Sequence, residues 1–220
     1  MDYLKLIEDP KDILITGSQV EMEYQKNRQI VILDSLTKFK TPDWSNLSVP
    51  ALLAESSEAK DMEDLKKEIG SLQSEVNGNI EKVLRSPSTD DRVYQTLKQI
   101  FRSQSKYNLR TKNSKYEYIK KLAVERFMLG YPPRKKNDIS IGDAINWEWV
   151  ISCASQSKKN IIIVTRDSDY GALWKKEAFL NDFLAEEFRD RVSDNQKIVL
   201  TTRLSEAFKS IDLPVSADMV

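Results

Sequence analysis

The chain has 220 residues, and 34 Lys and Arg balance 34 Asp and Glu, so attraction to a polyanion must come from a local patch. It contains no histidine, which excludes an imidazole base, a Ser-His-Asp triad and a His-bearing zinc site, and its single cysteine, Cys153, excludes an intrachain disulfide. No apolar run reaches about 18 residues, and Met1-Asp2-Tyr3-Leu4-Lys5 lacks a signal peptide's apolar core, so the expectation is a cytoplasmic protein with no membrane association.

In chain order, residues 1–9 read as the end of a helix with Leu4 and Ile7 on one face, stopped by Pro10. Residues 12–16 read as a short strand, followed by a Gly17-Ser18 turn with Ser18 as helix N-cap. Val20, Tyr24, Ile30, Val31, Leu33 and Leu36 predict a long helix to about Lys40, with Glu21 and Glu23 in its first turns. A loop with Pro42, Trp44 and Pro50 follows. Leu65, Ile69, Leu72 and Val76 alternate four- and three-residue steps, as in a coiled-coil seam. This tract is read as an antiparallel helical hairpin within one chain. Ser86-Pro87-Ser88-Thr89-Asp90 breaks it and caps a helix through Val93, Leu97, Ile100 and Phe101. Residues 105–113 are polar, residues 114–129 are helical again, and the paired Pro132-Pro133 makes residues 130–138 a loop.

Residues 141–148 then predict an amphipathic helix with Asp143 in its opening turn. Ile161-Ile162-Ile163-Val164 predicts a strand covered on both faces, ending on Asp167 and Asp169. Residues 179–192 read as a helix, 197–201 as a strand and 204–211 as a closing helix. The fold class is therefore α/β, a parallel sheet flanked by helices. It is read as one domain over residues 1–220 with a mostly helical insertion at 41–113.

Ligands of open α/β sheets bind beyond the carboxyl ends of strands, where Asp167 and Asp169 fall. A helix entering the same crevice brings Asp143 beside them. Three neighbouring carboxylates repel unless a proton or a metal joins them, and oxygen donors suit Mg²⁺ or Mn²⁺. Each acid also has a plainer reading: Asp143 as a helix-dipole acid, Asp167 as a turn former, Asp169 as a turn residue. Trp147 and Trp149 read as core or interface residues, and Cys153 as an inert core thiol.

Val20-x-x-Glu23 after a strand and turn, Gly142-Asp143-Ala144-Ile145 opening a helix, and Ile163-Val164-Thr165-Arg166-Asp167-Ser168-Asp169-Tyr170 ending a strand together resemble the PIN domain nucleases. The likeness is to the large bacterial PIN-like variants, which add Asn27-Arg28, a helical insertion, a Pro-Pro-basic loop, Trp147-Glu148 and Asn181-x-x-Leu184-x-x-Glu187. Scattered matches cover most of the chain outside residues 45–112. The resemblance implies a metal-dependent endoribonuclease using Mg²⁺ or Mn²⁺, of the kind found in toxin–antitoxin or defence systems. Its catalytic acids would be Glu23, Asp143 and Asp167, and its metal ligands Asp143, Asp167 and Asp169. Glu148, Arg28 and Asn27 form a second tier, with Glu148 about 140° round the helix from Asp143 and open to pairing with a cation. Glu21 points away from Glu23 and reads as solvated. Arg134, Lys135 and Lys136 would follow an RNA backbone or be plain surface. The family also suggests a homodimer and an inhibitor protein.

One departure stands out. The family places a further aspartate on a first strand, and this sequence starts inside the helix after it; Asp2 and Asp9 lie in no strand context. Activity is therefore expected if the native protein supplies that strand. A catalytically inactive binding or regulatory module and a DNA-directed nuclease are the alternatives.

Overall fold

A computed structural model describes residues 3–38, 49–134 and 139–217. By internal contacts it divides into two compact units, Met1–Glu23 with Lys98–Val220, and Tyr24–Leu97. In chain order the elements are α1 (Tyr3–Glu8), β1 (Thr16–Gly17), α2 (Ser18–Lys38), α3 (Ser57–Arg85), α4 (Pro87–Asp90), α5 (Arg92–Phe101), β2 (Asn108–Leu109), α6 (Tyr116–Leu129), α7 (Gly142–Ser157), β3 (Ile161–Val164), β4 (Gly171–Trp174), β5 (Glu177–Leu180), α8 (Asp182–Arg191), β6 (Ile198–Thr201) and α9 (Leu204–Lys209). The described chain is thus mixed α/β and mostly helical, with small sheets in place of one broad sheet.

In the first unit, β3 and β6 pair in parallel, from Ile161 against Ile198 to Val164 against Thr201. The β-branched run Ile161 to Val164 suits a pleated surface. It is not sealed on both faces as expected: burial falls along the strand, and Val164 is 41% exposed. The end from which the acids follow is therefore open. β1 and β2 form a second parallel pair, with Thr16 against Asn108. The strand expected at residues 12–16 shrinks to Thr16–Gly17, because the chain after Pro10 turns, with Ile13 N donating to the Pro10 carbonyl at 2.8 Å. β2 falls in the segment read as merely polar.

The expected helix over residues 179–192 starts later, because Phe179 and Leu180 belong to an antiparallel hairpin of β4 and β5. Its two turn residues, Lys175 and Lys176, both have left-handed φ values of 46° and 72°. Such turns favour Asn and Gly, so two lysines give no local signal. Gly171 opens the hairpin, and a Cβ there would stand 2.0 Å from the Phe179 carbonyl oxygen, so the close approach requires glycine. Asn181 then caps α8, its side chain accepting from Phe183 N at 3.0 Å. On α1 Leu6 is buried against Phe208 of α9, and the expected Ile7 packs partly buried against the same cluster.

α7 is the centre of this unit. One core cluster takes its Trp147, Ile151 and Ala154 with Leu184 and Phe188 of α8; another takes its Ala144, Ile145, Trp149 and Cys153 with Ile119 and Ala123 of α6. The helix is thus packed on two sides, where an amphipathic helix with one buried face was expected. Both tryptophans are core residues. Burial pushes the Cys153 thiol up to about 12, which makes it unreactive.

Four charged residues hold α7 between its neighbours. Glu148 on α7 accepts from Arg126 Nε of α6 at 2.9 Å and from Arg191 of α8 at 3.0 and 2.6 Å. Glu187 of α8 accepts from Arg191 at 2.7 Å, from Arg126 Nη2, and from Trp147 Nε1 at 2.8 Å. Arg126 and Glu148 are each 3% exposed. Two guanidinium groups and two carboxylates neutralise one another, so each buried charge is matched.

The second unit holds α3 as one continuous helix of 29 residues, where an antiparallel hairpin was expected. Ser56 caps it, its side chain accepting from Ala59 N at 3.2 Å, and the helix ends at Ser86-Pro87 as expected. Asp91 accepts from Tyr94 N at 2.9 Å at the start of α5 and forms a buried ion pair with Arg28 at 2.6 Å.

Two outcomes test the network. Arg126→Leu leaves Glu148 and Glu187 short of a buried partner and should lower unfolding stability by about 3–5 kcal/mol in urea titrations. Burial alone would raise the Glu148 carboxyl, but hydrogen bonds and charges from Arg191 and Arg126 hold it below its ordinary value of 4.5. The unfolded chain therefore binds this proton at a higher pH than the folded one, and stability rises with pH across that window. The stabilisation is present above 4.5 and lost as pH falls through the lower folded value. Thermal melts in this acid range should fall less steeply for Glu148→Gln than for the unaltered chain.

Candidate metal centre

Asp143 is the second residue of α7, where a carboxylate suits the helix N-terminus. Ser140 Oγ accepts from Gly142 N at 3.2 Å just before it. Asp167 and Asp169 follow β3 through a chain of tight turns. Thr165 N still reaches the Thr201 carbonyl at 3.0 Å, which extends the ladder one residue. Asp167 N then donates to Thr165 Oγ1 at 3.0 Å, and Asp169 N to Asp167 Oδ1 at 3.3 Å. These local bonds fold the segment back so that both acids meet the start of α7.

One carboxylate oxygen from each of Asp143, Asp167 and Asp169 lies within 4.8 Å of the other two, and all three residues are half-buried. Opposite ligands of an octahedral Mg²⁺ stand about 4.2 Å apart, from its usual bond length. The donor set, all hard oxygen at nearly that spread, fits one divalent ion of the Mg²⁺ or Mn²⁺ class.

Tyr170 reports on the same charges. Its ring is buried, and its hydroxyl lies 3.4 Å from the Asp143 carbonyl oxygen. Burial first, then the charges of Asp143, Glu23, Asp167 and Asp169, push its phenol well above the ordinary range. Glu23 thus acts on the same buried hydroxyl as the three aspartates.

Glu23 is held from its own helix. Gln19, one turn earlier on α2, donates Nε2 to Glu23 Oε1 at 2.6 Å. Both side chains lie against Gly142. A Cβ there would fall 2.4 Å from Gln19 Nε2 and 2.5 Å from Glu23 Oε1. The glycine before Asp143 is therefore the space in which the Gln19–Glu23 pair reaches α7.

Other expected residues have other tasks. Glu21 does diverge from Glu23, but it is not solvated: its Oε2 pairs with Arg110 at 3.2 Å. Glu148 belongs to the network of Arg126 and Arg191 and does not join the acids. The Arg28 guanidinium is buried and engaged by Asp91 and by the Val83 carbonyl at 2.7 Å. Asn27 is exposed on α2. Arg134 lies over the Phe127 ring at 4.4 Å, whereas Lys135 and Lys136 lie outside the described residues. The sequence reading does not single out Gln19 or Tyr170. The four-residue spacing of Gln19 and Glu23 is the signal for one, and adjacency to Asp169 for the other.

The sequence profile of one family, described as PIN domain, matches residues 2–170, a span containing Glu23 and all three aspartates. No curated protein and no solved structure matches the chain.

Gly142→Ala separates the site from the fold. The atoms it would strike are the far ends of two flexible side chains, so the stability cost should stay below about 1 kcal/mol. The carboxylate of Glu23 must move, so the rise in melting temperature on adding Mn²⁺ should shrink relative to the unaltered chain. Thermal melts with and without the ion check both outcomes.

Proposed function

The chain belongs to the PIN domain family, and from that premise we propose that it is a divalent-metal-dependent endonuclease that hydrolyses phosphodiester bonds in RNA. The gathering of Asp143, Asp167 and Asp169 within one ion's reach carries the reading. Asp143, Asp167 and Asp169 would hold the ion. When bound, such an ion lowers the pKa of a water and offsets charge on the phosphate.

The chain's own groups supply the rest. Gln19 occupies Glu23 Oε1, which leaves Oε2 to orient a water and accept its proton. No imidazole is present to take that part. Tyr170 keeps its proton through neutral pH, because burial and four carboxylates disfavour a phenolate. Its hydroxyl is therefore a fixed donor at the floor of the site. The half-buried setting of the acids strengthens their hold on a cation relative to open water.

Cleavage of labelled single-stranded RNA and DNA in Mg²⁺, Mn²⁺ or chelator tests the proposal. RNA should be cut with either ion and left intact with chelator. Asp143→Asn and Asp167→Asn should each lower the rate more than about 100-fold, since changing even a group that hydrogen-bonds a metal's ligand costs about 10–100-fold. Mn²⁺ should raise the melting temperature of the unaltered chain and leave Asp167→Asn unmoved. Equal cleavage by the chain and by Asp143→Asn would sink the reading. Cleavage of DNA alone would transfer it to a DNA-directed enzyme.

A further inference from the structure

The β4–β5 hairpin starts at Gly171, two residues beyond Asp169, and carries a surface that the acids do not explain. Its register sets Ala172 against Phe179 and Trp174 against Glu177. Facing residues of an antiparallel pair share a side, so Trp174 and Phe179 lie diagonally on one face, about 7–8 Å apart. The opposite face packs partly against the core through Ala178 and Leu180, while its Leu173 near the tip is exposed. Trp174 is 66% and Phe179 47% exposed. Neighbouring exposed rings form a contiguous apolar patch, the kind of surface that marks an interaction site.

Charge says what the partner is. The turn between the strands is Lys175-Lys176, and neither forms an ion pair with an acid among the described residues. Lys175 Nζ stands 5.8 Å from the centre of the Trp174 ring. Arg166, exposed just before Asp167, adds a third cation on the stretch leading from the site. Glu177 is the one acid in the two strands. Open aromatic rings bordered by lysines match single-stranded nucleic acid, whose bases stack on rings while its phosphates meet ammonium groups. A protein surface would not require the cations, and a duplex keeps its bases stacked within itself.

We infer that the β4–β5 hairpin is a docking platform for single-stranded nucleic acid: a base stacks on Trp174, Phe179 extends the stacking face, and Lys175 and Lys176 hold flanking phosphates. The inference rests on the nuclease reading for its purpose, since it assigns the route by which a strand approaches Asp167 and Asp169. Gly171 to Trp174 spans about 10 Å at strand rise, so the platform starts at the acids and leads outward. The lysine turn sets both cations at the tip, with Lys175 Nζ beside the Trp174 ring, where it can meet the phosphate next to a stacked base.

Binding is read without metal, so that it does not depend on cleavage. A labelled single-stranded RNA of about twelve nucleotides is titrated with the full chain in chelator, and anisotropy is followed at several salt concentrations. Trp174→Ala should weaken binding about 5- to 100-fold, the range for losing one stacked base, while Trp174→Phe keeps it within about threefold. Changing both Lys175 and Lys176 to Ala should flatten the slope of log affinity against log salt by about 1.4, as for two lost phosphate contacts. These sites are exposed, and unchanged melting temperatures would show that the fold persists. Unaltered binding in both variants would overturn the inference, as would failure of the unaltered chain to bind the strand. So would a loss of self-association on Trp174→Ala with RNA affinity unchanged, which would assign the face to a second protein chain. Weakened binding in the variants together with no cleavage under any condition would keep the platform and remove the nuclease reading.

Discussion

The placement of α7 is the constraint on which the site depends, and four buried charges set it. Arg126, Glu148, Glu187 and Arg191 join α6, α7 and α8 by hydrogen bonds that fix both distance and rotation. Apolar packing alone resists separation but tolerates sliding. A bidentate guanidinium–carboxylate contact does not, because its two bonds have a fixed geometry. The network lies five residues along α7 from Asp143 and about 140° round it. It therefore acts on the acid through the rigid helix, not through contact.

The other half of the centre comes from the open end of β3. Local turns present Asp167 and Asp169, while Tyr170 drops into the core beneath them. This alternation explains how an acidic loop stays put despite self-repulsion: the buried ring anchors the same residues whose charges oppose one another. Gly142 completes the approach by leaving room for the side chains of α2. The arrangement joins three separate stretches of sequence, each fixed by its own local bonds.

Much of this was legible in the residues. Ile161 to Val164 announced a strand, the acids after it announced a site, and Asp143 opened a helix as expected. The family likeness drawn from those motifs agrees with the profile match over residues 2–170. What stayed hidden depends on partners far along the chain. Pairing of Glu148 with a cation is legible, but which cation is not, because Arg126 and Arg191 lie 22 and 43 residues away. The hairpin was hidden for a local reason: its left-handed turn is built from lysines. The amphipathic pattern over residues 141–148 does not show that Glu148 is a core residue, because its partners lie on other helices.

The buried Cys153 gives the molecule a built-in clock. It is the only thiol in the chain and sits within the helix that begins with Asp143. Being shielded by α6 as well as by its own neighbours, it meets a solution reagent only when that packing opens. The rate at which the native protein takes up a thiol label, with reagent in excess, thus measures how often the frame around α7 comes apart. Any ligand that clamps the start of that helix would slow the labelling, so a residue with no part in the chemistry becomes the place from which occupancy of the site can be timed.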